Sequence, residues 1–246
     1  MNKLFLILLI FICSSCSLQE TVFPERNIAP VNSFTYVEAT LSIEVCKEIS
    51  GMSVCVRDSF TSTGSGISIG EIGKSSLVLT AGHVCEIDEG SLPEGLTSHN
   101  MSFKVFDRFG RSGIATVINT NYAKPDICAL LVPNMSIKGV KISHSAPLIG
   151  DRVYSLSAPI GIYHPPAVPI LEGIYSGEVP SGQFSMTTIR AIGGSSGSGI
   201  INNKGELVGI LFATHPKFNS ITLTSTYDLT IEFINETMLK LKSKEW

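Results

Sequence analysis

The stretch GGSSGSGI, residues 193–200, places three serines among four glycines. Glycine loses more backbone freedom on ordering than any other residue, so this density favours a turn over a helix or a regular strand. A serine that attacks a carbonyl carbon needs two backbone N–H groups facing the developing oxyanion, commonly its own and that of the residue two earlier. Only Ser196 has glycines both at that earlier position and directly after it. The stretch therefore predicts Ser196 as a nucleophile, with the N–H groups of Gly194 and Ser196 as the oxyanion hole; a flexible Gly/Ser loop is the alternative.

A serine nucleophile also requires a base, because its hydroxyl reacts slowly until an imidazole removes the proton. The segment SSLVLTAGHVC, residues 75–85, runs an apolar strand into a small-residue turn that contains His83. The segment YAKPDICALLV, residues 122–132, puts Asp126 at the start of another apolar strand, where its carboxylate can accept a bond from His83. We predict His83 as the general base and Asp126 as the residue that orients it, with strand capping as the alternative role of Asp126. No metal site is predicted, because the other histidines lie in polar or proline-rich segments without metal-ligand spacing. These are His99, His144, His164 and His215.

Short strands account for most of the chain after residue 36. They are predicted at 41–47, 52–57, 66–69, 77–81, 102–106, 114–119, 127–132, 152–157, 170–176, 184–190, 199–202, 206–213 and 220–225. Their Val, Ile, Phe and Thr content, with Gly, Pro, Asn and Ser clusters between them, is typical of closed or sandwiched antiparallel sheets. The polar stretch KGVKISHSAPLIGD, residues 138–151, divides the strands into two similar groups. We therefore predict an all-β fold with two barrels, at residues 37–145 and 146–227.

The chain is predicted to end in one helix, at residues 228–246. Apolar residues at three-to-four spacing follow Asp228, which we predict as the cap, and precede a group of lysines. The apolar residues are Ile231, Ile234, Met238 and Leu241. One amphipathic helix is therefore expected to pack on the second barrel.

Composition and the N-terminal sequence indicate an exported protein. The 246 residues are 43% hydrophobic and carry a net charge of -3, so the charge gives no reason to expect nucleic acid as a partner. The sequence MNKLFLILLIFICSSCS begins with one Lys, a short apolar run and small residues, which predicts a signal peptide at residues 1–16. The residues before Cys16 resemble a bacterial lipobox, although Cys13 stands where Leu is usual. We expect a linker at residues 17–36 and a protein of the cell envelope or a secreted protein. If Cys16 is lipidated, its lipid is the only predicted membrane contact. Ordinary cleavage of the signal peptide is the alternative.

The segment VCKEISGMSVC, residues 45–55, predicts a hairpin with a two-residue turn at Ser50-Gly51. This register places Cys46 opposite Cys55 at a non-hydrogen-bonded pair, where side chains approach most closely. Export makes a disulfide permissible, so we predict a Cys46–Cys55 bridge. Two free cysteines packed in a core are the alternative.

Six segments together resemble the trypsin-like serine proteases of the chymotrypsin fold, and they look closest to the HtrA-like bacterial protease domain. These are GSGISIG (64–70), LVLTAGHV (77–84), PDICALLV (125–132), IGDRVYSLSAPIG (149–161), LEGIYSG (171–177) and GSSGSGIINNKGELVGI (194–210). The resemblance implies two perpendicular six-stranded antiparallel barrels with the site between them. It assigns His83, Asp126 and Ser196 as the catalytic triad.

The resemblance also implies hydrolysis of polypeptide substrates through an acyl-enzyme on Ser196, without a metal or an organic cofactor. An esterase of the same fold and a catalytically inactive surface-binding lipoprotein are the alternatives. HtrA-like chains usually continue into a PDZ domain, and none is expected here. Ser195 stands where the trypsin branch has the Asp that pairs with a newly cut N-terminus, so activation by that route is not expected.

The pocket for the substrate residue before the cut is, by the same resemblance, formed by a segment ahead of the nucleophile and by one later strand. The residues concerned are Arg190, Ile192, Gly193, Leu211, Phe212 and Ala213. Their apolar members predict cleavage after apolar residues, whereas Arg190 at the pocket base would favour acidic ones.

A second disulfide is predicted between Cys85 and Cys128. Each cysteine follows a proposed catalytic residue by two positions, and the triad requires the two segments to lie side by side. Two buried free thiols are the alternative.

Overall fold

The first six strands close into an antiparallel barrel. The computed structural model describes residues 29–87, 90, 92, 96–215 and 217–243, so the predicted signal peptide, the predicted lipidation site Cys16 and most of the predicted linker lie outside the described residues. The strands are β1 (Phe34–Ile49), β2 (Met52–Ile72), β3 (Ser75–Ala81), β4 (Leu96–Asp107), β5 (Ser112–Asn121) and β6 (Ile127–Val132). They pair in the order β1-β2-β3-β6-β5-β4, and β4 pairs with β1 to close the barrel.

Six later strands form a second closed barrel. They are β8 (Arg152–Leu156), β9 (Ile170–Glu178), β10 (Ser185–Thr187), β11 (Gly199–Asn202), β12 (Glu206–His215) and β13 (Phe218–Thr224). Their order is β11-β8-β9-β10-β13-β12, and β11 pairs with β12 to close it. A short strand from the connection between the barrels, β7 (Lys141–Ile142), pairs in parallel with β12. The predicted all-β fold with two six-stranded barrels is confirmed.

The first hairpin is longer than the sequence predicts. Pairing between β1 and β2 runs without a break from Ile49–Met52 to Phe34–Ile67, so the predicted strands 52–57 and 66–69 belong to one strand. The Ser- and Thr-rich residues between them lack the apolar alternation that marks a strand in sequence, and their pairing with β1 makes them one. Cys46 lies opposite Cys55, and the predicted disulfide joins them with Cα atoms 4.0 Å apart.

Two α-helices lie among the described residues, α1 (Gly82–Cys85) after β3 and α2 (Tyr227–Ser243) at the end, together with short 3₁₀ helices at Val31–Ser33 and Pro159–Gly161. The predicted terminal helix is present, but its cap was predicted wrongly. The N–H of Leu229 donates to the hydroxyl of Thr226 at 3.3 Å, whereas Asp228 lies in the first turn. Threonine therefore caps the helix, and Asp228 contributes through its charge near the positive end of the helix dipole.

The buried face of α2 also differs from the predicted apolar stripe. Its buried residues are Thr230, Phe233, Ile234 and Thr237, and Met238 is exposed. The two threonines are accommodated in the core because each hydroxyl donates to the carbonyl four residues earlier, at 2.7 Å in both cases. The spacing of apolar residues cannot predict that a threonine is buried, because its hydroxyl is satisfied by a backbone carbonyl of its own helix.

A single apolar cluster joins the two barrels and the helix. Its members from the first barrel, the second barrel and α2 include Phe34, Ile67, Leu79, Leu156, Ile201, Leu207, Phe233 and Ile234. The barrels therefore share a core, which fixes the cleft between them. None of the described helices is both long and apolar enough to cross a membrane.

Candidate active site

His83 and Asp126 meet as the sequence predicts. Short helix α1 begins one residue before His83, and Asp126 directly precedes β6, which pairs with β3. Nδ1 of His83 lies 3.0 Å from Oδ2 of Asp126, and the backbone N–H of His83 donates to Oδ1 at 2.9 Å. The carboxylate accepts a hydrogen bond from Nδ1–H, so the tautomer with an unprotonated Nε2 is favoured. The imidazole is one-third exposed, and the carboxylate is 15% exposed.

The three serines of the glycine-rich turn lie in different environments. Ser195 and Ser198 are 1% and 0% exposed. The hydroxyl of Ser195 accepts a long bond from the N–H of Ile192, and that of Ser198 donates to the carbonyl of Ser195 at 2.7 Å. Ser196 is partly exposed, and its hydroxyl makes no hydrogen bond to the described residues, His83 included. Of the three, Ser196 alone has a hydroxyl that is both reachable and uncommitted.

The backbone N–H groups of Gly194 and Ser196 in this turn have no hydrogen-bond acceptor among the described residues. The carbonyl of Gly193 accepts from the N–H of Ile160 at 2.6 Å. The Gly193–Gly194 peptide is trans, so the N–H of Gly194 points in the opposite direction. The N–H groups of Ser195, Gly197 and Ser198 have backbone partners, whereas those of Gly193, Gly194 and Ser196 have none among the described residues. The last two are the groups that the sequence predicts for an oxyanion hole, and Gly193 is exposed.

Ser65, which the sequence analysis did not select, ties the turn to the first barrel. Its side chain is fully buried; the hydroxyl donates to the carbonyl of Gly194 and accepts from the N–H of Ala158, both at 2.8 Å. Its backbone N–H donates to the carbonyl of Ser196, also at 2.8 Å. Ser65 lies inside the quoted motif GSGISIG, but no local signal distinguishes it, because all three partners are distant in sequence.

Two glycines allow the segments that carry His83 and Ser196 to approach each other. A Cβ atom on Gly64 would lie 3.1 Å from Val84, next to His83, and 3.2 Å from the carbonyl of Ser196. A Cβ atom on Gly197 would lie 2.1 Å from the carbonyl of Ser65 and 2.9 Å from the N of Ala81, and Gly197 has a φ of +87°. Only glycine fits at position 197. The structure thus brings the three predicted triad segments to one cleft.

The predicted substrate-binding residues lie in the segment that leads into the glycine-rich turn and in β12. Leu211 is buried, and its carbonyl accepts the N–H of Gly197 at 2.7 Å. Phe212 packs edge-on against Phe184 with ring centroids 6.5 Å apart. Of the others, Ala213 is half-buried, and Arg190, Ile192 and Gly193 are exposed. Arg190 has no carboxylate partner among the described residues and faces solvent.

A groove of about 330 Å³ opens at His83 on the side of the first barrel. Leu41 and Phe60 of the long hairpin, Met101 of β4 and Tyr122 line it together with His83. No local sequence pattern identifies these residues, because they come from three separate segments whose approach depends on barrel closure.

The second predicted disulfide lies next to the His83–Asp126 pair. Cys85 and Cys128 are bonded, with Cα atoms 6.3 Å apart, and both are buried. The bridge joins α1 to β6, so it fixes the turn that carries His83 against the strand that follows Asp126.

Comparisons with known proteins agree with this fold. No curated protein sequence matches the chain. By fold, the chain resembles a serine endoprotease from Yersinia pestis, with 20% identity and a TM-score of 0.60 over 86% of this chain. It also resembles an HtrA-type protease solved with a decapeptide, with 19% identity and a TM-score of 0.60 over 82% of this chain. The chain spans 64% and 63% of the lengths of these two proteins. A third likeness, with 14% identity, a TM-score of 0.57 and coverage of 85% of this chain and 88% of the other, is to Rv3671c from M. tuberculosis in an inactive form.

At the level of sequence, the trypsin-like peptidase domain family matches residues 64–210. This range is more than half of the chain, and it contains His83, Asp126 and the whole glycine-rich turn. The chain therefore belongs to the trypsin-like peptidase family.

Proposed function

We propose that the protein is a serine endopeptidase that hydrolyses peptide bonds through an acyl-enzyme on Ser196. One observation carries the proposal: the only uncommitted hydroxyl of the turn is flanked by the unpaired N–H groups of Gly194 and Ser196. Unpaired donors in a rigid turn are suited to bind negative charge that develops in a transition state.

The proposed reaction begins when Ser196 Oγ adds to the scissile carbonyl carbon and His83 Nε2 takes the hydroxyl proton. The carbonyl oxygen becomes an oxyanion that accepts hydrogen bonds from the N–H groups of Gly194 and Ser196. Asp126 stabilises the resulting imidazolium through its bond to Nδ1. His83 then gives the proton to the leaving amine, and the C–N bond breaks.

Water completes the cycle. It adds to the acyl-enzyme as His83 removes a proton, and the second tetrahedral intermediate releases the carboxylic acid and restores Ser196. The Ser196–His83 hydrogen bond is absent from the free protein, and we expect it to form when substrate fills the cleft, since such bonds are often long before binding.

The decisive experiment compares Ser196→Ala with Ser181→Ala, a change at an exposed serine in another turn. Ser196→Ala is expected to lower kcat on a fluorogenic peptide by about 10⁴-fold or more, and to abolish covalent labelling by a fluorophosphonate. Ser181→Ala should retain both. Peptidase activity that survives in Ser196→Ala would refute the assignment.

Ester substrates, the fluorogenic peptide and the fluorophosphonate together distinguish the two alternatives from a peptidase. An esterase would turn over ester substrates while leaving peptides intact, and an inactive surface-binding protein would fold without ever being labelled. The partly buried Asp126–His83 pair supports a catalytic role, because a binding module has no need of an imidazole oriented by a carboxylate.

We also propose that the protein works outside the reducing cytoplasm, in the cell envelope or as a secreted protein. The support is that all four cysteines within the described residues are paired in disulfides, and disulfides persist in oxidising compartments. Fractionation of cells, with metabolic labelling by a lipid precursor, tests export and acylation at Cys16. A reduced protein in the cytoplasm would contradict the proposal.

A further inference from the structure

A second pocket, of about 210 Å³, lies at the turn between β4 and β5 and shares no residue with the groove at His83. We call it the turn pocket. Its polar and charged lining comes from three separate segments: Asn32, the turn residues Asp107, Arg108 and Arg111, and Ser136 and Lys138 from the chain that leaves β6. Three of these side chains are cations and one is a carboxylate.

The carboxylate of Asp107 is already committed to the turn. It is 2% exposed, and it accepts the N–H groups of Phe109 at 2.9 Å and Arg111 at 3.0 Å. It also accepts Nε of Arg111 at 2.6 Å, so it neutralises that guanidinium. Tyr163 donates its hydroxyl to the Asp107 carbonyl; burial raises the pKa of Tyr163, and the Asp107 charge raises it further, so the phenol keeps its proton. These bonds hold the turn together, and they leave its one carboxylate paired with Arg111.

Two cations of the turn pocket remain without a counter-charge. No carboxylate of the described chain forms an ion pair with Arg108 or Lys138. Glu71, which lies nearby, accepts the hydroxyl of Ser136 instead. Arg111 and Asp107 cancel, so the pocket lining keeps two cations outside any ion pair, and the charge of Glu71, which bonds to the lining residue Ser136, offsets part of their field.

Arg108 is held in place although no protein acceptor uses it. Its guanidinium stacks over the ring of Phe109 at 4.6 Å, and its Nε is buried without a hydrogen-bond partner. A buried guanidinium N–H that lacks an acceptor costs free energy in the protein alone, and a bound anion close to the guanidinium offsets part of that cost.

From this arrangement we infer that the turn pocket binds one oxyanion of the phosphate class between Arg108 and Lys138. A planar guanidinium and an ammonium are the two side chains that bind phosphate oxygens best. The volume is below the range of about 300–1,000 Å³ that drug-sized ligands occupy, so a single phosphate group fits and a nucleotide does not.

Such a group has two sources, free phosphate and the phosphodiester of a lipid headgroup. The pocket wall contains Asn32, which stands two residues before β1 and 16 positions after the predicted lipidation site Cys16. The pocket therefore lies where the N-terminal part of the chain reaches the barrel. A headgroup would be within reach if that part of the chain is anchored as proposed.

The test is calorimetric titration of the full chain at low ionic strength with two probes. One is inorganic phosphate, and the other is glycerophosphoglycerol, the soluble headgroup of phosphatidylglycerol. We expect binding at one site with at least one probe. Arg108→Ala and Lys138→Glu should each weaken it about tenfold or more, as loss of a charge-assisted hydrogen bond does. Lys204→Ala, at an exposed lysine in the turn between β11 and β12, is the matched control and should bind like the unmodified protein.

The outcomes are distinct. Binding of the phosphodiester assigns a headgroup, and binding of phosphate alone assigns the free anion. No heat with either probe, or binding that both pocket variants retain in full, would overturn the site. Lys138 is exposed, so Lys138→Glu should fold even if Arg108→Ala does not. The readout does not involve peptidase activity and is independent of the proposed function.

Discussion

Replacement of Ser65 by alanine should damage both the stability and the activity of the protein. The hydroxyl serves two buried groups, the carbonyl of Gly194 and the N–H of Ala158, with bonds of 2.8 Å each. Ser65→Ala leaves both unsatisfied in a region from which water is excluded. Each buried group without a partner costs about 1–3 kcal/mol, so we expect a loss of at least about 2 kcal/mol in the free energy of unfolding.

The effect on catalysis follows from where those bonds end. The Gly194 carbonyl belongs to the residue whose N–H is proposed to bind the oxyanion, so its release loosens that donor. Loss of one oxyanion-hole donor costs about 10²–10³-fold in kcat, and a donor that is only displaced should cost less, about 10–100-fold. KM should change little, because the donor acts mainly on the transition state.

The assay combines urea unfolding with steady-state hydrolysis of a fluorogenic peptide. Ser181→Ala is the control, since Ser181 is exposed in a turn away from the groove at His83. That variant should lie within about 0.5 kcal/mol of the unmodified protein and keep its kcat. If Ser65→Ala matches Ser181→Ala in both measurements, the reasoning from Ser65 to the oxyanion hole is refuted.

Three further predictions concern the base, the disulfides and the specificity. Asp126→Asn should lower kcat by about 10⁴-fold with little change in circular dichroism, because the amide favours the wrong imidazole tautomer; near-normal turnover would contradict the role of the carboxylate. Removal of the Cys85–Cys128 bridge by paired serine substitution should cost about 4 kcal/mol by loop-closure entropy and lower kcat as well, whereas removal of the Cys46–Cys55 bridge should cost less, about 2.6 kcal/mol, and spare kcat. Equal effects of the two double variants on peptide hydrolysis would show that the Cys85–Cys128 bridge does not position the base. Cleavage profiling on a random peptide library should show an apolar residue before the cut, and a clear preference for Glu or Asp would overturn this specificity.

The sequence by itself determined the parts of the site that depend on residue type and local spacing. Ser196 follows from the glycines around it, because the backbone freedom that the turn needs is a property of the residues themselves. The Cys46–Cys55 bridge follows from hairpin register, since a two-residue turn fixes which residues face each other. His83 and Asp126 were identifiable because His83 follows one apolar strand and Asp126 precedes another.

The tertiary structure alone decided what depends on segments meeting across the fold. The bonds of Ser65 to Gly194 and Ala158 join residues 129 and 93 positions apart, and nothing near Ser65 in sequence signals them. The helix cap at Thr226 and the buried Thr237 escaped prediction because hydrogen bonding, not hydrophobicity, places them. Local backbone preferences act over a few residues and can be read from the letters, whereas packing acts between surfaces that exist only once both barrels have closed.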